Sequence, residues 1–141
     1  MTAALVLSAD ASAALTPSQY RARANAICAT LNAEIQALGQ PKSETSAGVA
    51  DWMSTGVGYG RQAYAALWAL HPPASLVAPH RRALWALWRI LALDDEAAKQ
   101  MRAGADPSKT VMGIGSKDDA LFNSETAAWR AAGVTVCATQ P

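Results

Sequence analysis

The chain has 141 residues, of which 51% are hydrophobic, and a net charge of +1. That length suits one domain around a single core, and that composition excludes a disordered chain. No basic block of the kind a nucleic-acid binder carries is present, Arg81-Arg82 being the densest basic spot, so no nucleic-acid partner is expected.

Alanine dominates, with 33 residues, and alanine-rich chains poor in β-branched residues favour helices. The longest apolar runs are 63–70 and 83–93, the second broken by Arg89. Neither approaches the ~20 residues of a membrane helix, so no transmembrane segment is expected.

The N-terminus joins a short apolar run to Ala11-Ser12-Ala13, an A-x-A cleavage pattern, with no Lys or Arg before Arg21. Residues 1–15 read as the remnant of a signal peptide or, equally, as a flexible tail; residues 16–141 read as one domain. A lone cysteine pair fits a secreted or cell-envelope protein.

Thr16-Pro17-Ser18-Gln19 is a helix start with a cap, a first-position proline and a capping box. Tyr20, Ala24, Ile27, Leu31, Ile35 and Leu38 then share one stripe, and Gly39-Gln40-Pro41 ends the helix. The second helix is expected over about 47–70, halted by His71-Pro72-Pro73. Its stripe is Val49, Trp52, Met53, Gly56, Gly60, Ala63, Leu67 and Leu70.

The third helix should start near Ser75, take Pro79 in its first turn and end near Gly104. Leu84, Leu87, Trp88 and Leu91 form its stripe. For the fourth, Asp106-Pro107 makes a cap and first position, but Gly113 and Gly115 are poor in a helix interior. Either one helix runs from Pro107 with a weak spot, or a short turn precedes a helix from Lys117. Both versions end near Ala132 with Gly133 as the stop, and Val111, Ile114, Leu121, Phe122 and Trp129 on the inner face. Four amphipathic helices with short connections predict an all-α, up-down-up-down four-helix bundle.

Cys28 lies ~16 Å into the first helix from the end it shares with the close of the fourth, at 1.5 Å per residue. The tail from Gly133 to Cys137 reaches ~13 Å when extended. It must therefore fold back along the first helix, where a Cys28–Cys137 disulfide would pin it; two reduced, buried thiols are the alternative. The pair lacks the C-x-x-C spacing of a metal site.

Three patterns carry a likeness: Tyr20-x-x-x-Ala24-x-x-Ile27-Cys28, then Ala69-Leu70-His71-Pro72-Pro73-Ala74, then Gly133-Val134-x-x-Cys137-Ala138. With them the chain resembles a loose group of small secreted or lipid-anchored helical proteins from actinobacteria and related bacteria. The resemblance implies fold and location but no activity. The chain departs from that group in having no complete signal peptide and no cysteine placed for lipid attachment after one.

The stretch Ser54 to Gln62, STGVGYGRQ, is spelled like a potassium-channel filter or a phosphate loop. It has neither the membrane span of the first nor the preceding strand and following Gly-Lys-Ser/Thr of the second. On a helix, Gly56 and Gly60 face inward and Gly58 outward. The inward pair either packs closely against a ring, with Trp85 and Trp88 as donors, or leaves a ligand cavity.

Polar residues on inward faces are the other lead. His80 falls in the third helix's stripe, Asp94 and Asp95 flank it, and Asp118 and Glu125 lie on the fourth helix's inner face. Buried carboxylates are costly unless paired or liganded. An antiparallel arrangement brings Asp94 or Asp95 near Asp118, beside Gly56, as a site for a cation or an amine-bearing molecule. Alternatively, Asp118 and Asp119 open a helix, and Asp94 and Asp95 pair with Lys117 or Arg89.

No Glu-x-x-His occurs, and His71 and His80 are too scattered for a metal centre, so neither metal nor cofactor is expected. No G-x-S-x-G elbow occurs, Cys28 is committed to the bridge, and an enzyme is not expected. The expected function is a non-enzymatic extracytoplasmic binding or interaction protein, using a groove with Trp52, Tyr59, Tyr64, Trp85 and Trp88. The alternative is a carrier of a small ligand or cation near Gly56, Gly60, Asp94, Asp95 and Asp118.

Overall fold

The structure, a computed structural model, describes residues 14–139. The signal-peptide reading of the N-terminus falls almost wholly outside the described residues. Four helices run up-down-up-down: α1 (Pro17–Leu38), α2 (Ser46–Trp68), α3 (Val77–Arg102) and α4 (Pro107–Ala132). A single 3₁₀ turn, Ala74–Leu76, precedes α3, and there is no strand among the described residues.

Local chemistry sets the ends. Thr16 Oγ1 accepts from the Gln19 amide at 3.2 Å while Gln19 Oε1 accepts from the Thr16 amide at 3.0 Å, a complete capping box. Thr45 caps α2 through the Gly48 amide at 3.1 Å, and Asp106 caps α4 through the Lys109 amide at 2.9 Å. Gly133, at φ 72°, takes the left-handed conformation that closes α4. Of the two versions of α4, the structure has the single helix. Gly113 and Gly115 sit within it against open space, so they cost propensity and no packing.

Three stripes differ from expectation; on α4, Val111 is 45% exposed and Thr110 beside it is buried instead. On α2 the buried line is Ala50, Val57, Gly60, Ala63 and Leu67, and Trp52, Met53 and Gly56 are only half-buried. On α3, Leu84, Leu87 and Leu91 are buried as expected, but Trp88 is 52% exposed. The small residues Ala83 and Ala86, with Ile90, complete the inner face, which leaves Trp88 at its margin against the Tyr64 ring, 5.6 Å away.

The C-terminal tail folds back along α1. Arg21 Nε donates to the Ala132 carbonyl at 3.0 Å, and the Val136 amide donates to Asn25 Oδ1 at 2.9 Å. Cys28 and Cys137 are disulfide-bonded, with Cα atoms 5.2 Å apart, tying residues 109 positions apart.

This end of the bundle holds the larger core, including Tyr20, Leu67, Leu84, Trp129 and Val134. Within it the Tyr20 hydroxyl shares a 2.8 Å hydrogen bond with His80 Nδ1, and Trp129 Nε1 donates to Glu125 Oε1 at 3.0 Å. Burial pushes the Tyr20 phenol up to about 12. Burial, aided by the Arg81 charge, pushes the His80 imidazole down, so that it is held neutral. A second, smaller core of Ala50, Ala98 and Met101 lies at the far end, flanked by Val49 and Met53. Consecutive helices pack side by side, whereas α1 and α4, which would close the ring, stand apart along most of their length.

Candidate functional site

The gap between α1 and α4 opens into a cleft of about 450 Å³ between the two cores. α1 supplies Leu31, Ile35 and Leu38; α2 supplies Trp52, Gly56 and Gly60; α3 supplies Leu87, Leu91 and Asp94; α4 supplies Ile114, Gly115, Asp118 and Phe122. Small residues keep it open. A Cβ on Gly56 would stand 3.7 Å from Ile35 and Leu38, an ordinary contact, and one on Gly115 would meet nothing. At Gly60 the space is taken: a Cβ there would collide with Leu91. An aliphatic tip, and not an indole, therefore fills the Gly60 notch.

The lining is apolar except for Asn32, Asp94, Asp118 and the indole of Trp52, whose Nε1 donates to the Gly39 carbonyl at 2.7 Å. Burial, reinforced by the Asp118 charge, pushes the Asp94 carboxyl up to about 6. Burial and the neighbouring Asp119 also raise Asp118. Asp118 Oδ1 is buried and accepts no hydrogen bond, and neither carboxylate takes part in an ion pair among the described residues. Two carboxyls thus share a low-dielectric cleft with no basic side chain on its lining.

The sequence-derived site divides between two faces. Gly56, Gly60, Asp94 and Asp118 meet in the cleft. Asp95 lies outside it, bonded to Lys99 at 2.9 Å and Arg61 at 3.3 Å. The Lys99 hydrogen bond and the two cationic charges outweigh partial burial and hold its carboxyl below the usual carboxylate range. The expected partners Lys117 and Arg89 are not used; Arg89 instead covers the Trp85 ring, 5.7 Å from its centroid. Trp85, 57% exposed, and Trp88 lie on the outer face of α3. Of the other aromatics in the expected groove, Trp52 borders the cleft, and Tyr64 stacks on Trp68.

Asn32 and Gly115 also line the cleft, beyond the site residues expected from sequence. The signal for Asn32 was available: it follows Cys28 by one turn and adjoins Leu31 on the apolar side of α1.

Three or more His, Cys, Asp or Glu side chains do not converge anywhere among the described residues, so the carboxyl pair lacks the further ligands a divalent ion needs. What the arrangement offers is hydrogen-bond acceptance and negative charge inside an apolar slot. No helix among the described residues is long and apolar enough to cross a membrane. Comparisons with protein-family models, curated proteins and solved structures returned no match.

Proposed function

We propose that the protein is a non-enzymatic, extracytoplasmic binding protein. Its cleft takes a small amphiphile with an apolar body and a protonated amine or similar cationic head. The observation that carries this reading is the pair Asp94 and Asp118, half-buried in an otherwise apolar cleft without an ion-pair partner among the described residues, with Asp118 Oδ1 itself buried and unbonded. A buried carboxylate is costly to leave uncompensated, and a cationic head supplies the missing charge. The volume of about 450 Å³ falls in the range of small-molecule sites.

A disulfide between α1 and the tail is consistent with an oxidising compartment. Location outside the cytoplasm is the proposal drawn from it, supported by the A-x-A pattern near the N-terminus and by the likeness to small secreted helical proteins.

A melting-temperature series with long-chain alkylamines, alcohols and carboxylic acids of matched length tests the reading, since a ligand of the native state raises stability. The amine should raise the melting temperature most, and Asp94→Asn should remove its advantage over the alcohol. Equal shifts with all three head groups, or none with any, would refute the proposal.

A further inference from the structure

On the side of the molecule away from the cleft, α2 and α3 present a face of a different kind. Segment 52–93 contains four arginines and no acidic residue, while the rest of the chain has eight basic and eleven acidic residues. Arg61 pairs with Asp95 at 3.3 Å, and Arg81, Arg82 and Arg89 have no ion-pair partner among the described residues. The near-neutral total hides this asymmetry.

Helical spacing puts Arg81, Arg82, Trp85, Trp88 and Arg89 on one outward arc of α3, and all five are exposed. Trp68, 65% exposed at the end of α2, joins them through Tyr64, which stacks on Trp68 at 6.1 Å and leans on Trp88 at 5.6 Å. The buried tryptophan Trp129 and the cleft-edge Trp52 donate their Nε1 protons within the chain; none of the three outer indoles does so among the described residues.

From this face we infer that the protein docks on an anionic lipid surface. Exposed indoles prefer the headgroup layer, where the ring leaves bulk water and the N–H keeps a polar partner. Arginines beside them meet lipid phosphates with their heads while their stems lie along the rings. Charge complementarity names the partner: three exposed arginines without an ion-pair partner among the described residues fit an anionic bilayer better than a neutral one.

Ring geometry separates a bilayer from a nucleic acid. Bases stack on open ring faces, but Arg89 covers one face of Trp85, and Trp68 and Tyr64 lie against each other with planes only 23° apart. Ring edges and N–H groups remain available, which suits shallow insertion among headgroups. The inference is independent of the cleft: a protein with Asp94→Asn should still dock.

Flotation with phosphatidylcholine vesicles, with and without phosphatidylglycerol, tests it, together with tryptophan emission. The protein should float only with phosphatidylglycerol, release at high salt, and shift its emission to the blue when bound. Arg81→Glu with Arg82→Glu should weaken binding by roughly 30-fold or more, at ~1 kcal/mol per arginine removed near an anionic surface. Trp85→Ala with Trp88→Ala should weaken binding and reduce the blue shift, leaving the part due to Trp68, with little change in melting temperature, because both rings are more than half exposed. Equal binding to neutral vesicles, binding unaffected by either double variant, or binding to heparin or DNA without vesicle binding would overturn the inference.

Discussion

Leu91 occupies the volume that a side chain at Gly60 would need, although the two residues sit on different helices. The contact is made by the tip of the leucine, and Leu91 also lines the cleft, so it has somewhere to move. Gly60→Ala should drive that tip into the cleft. Overpacking costs ~1–3 kcal/mol and the gain in helix propensity returns ~1 kcal/mol, for a net loss of about 2 kcal/mol or less. Gly56→Ala meets only ordinary contacts and should stabilise by up to ~1 kcal/mol. Urea unfolding of the two variants checks the contrast; equal effects would mean that the two glycines have equivalent surroundings.

Asp94 should give the protein an acid-side stability slope of unusual sign. Its carboxyl is raised from 3.8 to about 6 on folding. The native state therefore binds this proton more tightly than the unfolded chain, and the associated stability is fully present below pH 3.8 and lost as pH rises through about 6. Asp94→Asn should raise the melting temperature at pH 7.5 and give little gain at pH 4. A gain independent of pH would show that the effect is not titration of this group.

The disulfide closes most of the chain into one loop, since Cys28 and Cys137 are 109 positions apart. Reduction, or Cys28→Ser with Cys137→Ser, should cost ~2–5 kcal/mol. It should also free the tail, so protection of the Val136 amide, now bonded to Asn25, should fall before that of α3. Comparing exchange with and without reductant reads both effects.

Tyr20→Phe leaves His80 Nδ1 buried without its hydrogen-bond partner, which should cost ~1–3 kcal/mol. His80 itself is lowered on folding, so its contribution is present above the ordinary histidine value of 6.5 and lost as pH falls below it. His80→Phe should flatten that part of the pH profile, measured as the midpoint of urea unfolding.

The parts of this fold legible in the sequence are those governed by neighbouring residues. Thr16 with Gln19, Asp106 with Pro107, and Gly133 announce helix ends through contacts within a turn, and all three act as read. The reach of the tail to Cys28 followed from chain length alone. What escaped depends on which helices touch. Trp88 is large and apolar and falls at the spacing of a core stripe, but Ala83, Ala86 and Ile90 already fill that side of α3. Val57, and not the neighbouring Gly56, is buried on α2, because which of two positions 100° apart is covered depends on where α3 packs. The separation of α1 from α4 has no signature in either helix alone, and with it the cleft was hidden; Asp94 and Asp118 marked its location only as polar residues out of place.

The one-sided support of α1 bears on how an occupant would bind. Beyond the bridge at Cys28, the run Leu31 to Leu38 is braced by α2 and faces the cleft on its other flank. A small roll of that run over α2 would change the cleft's width and leave the bridge intact. On the proposed binding role, a guest in the cleft would serve as the missing wall and gain affinity by finishing a hydrophobic core. Selection among guests would then follow their girth as much as their charge: a slender chain would leave the wall unsupported, and a bulky one would spread α1 from α4.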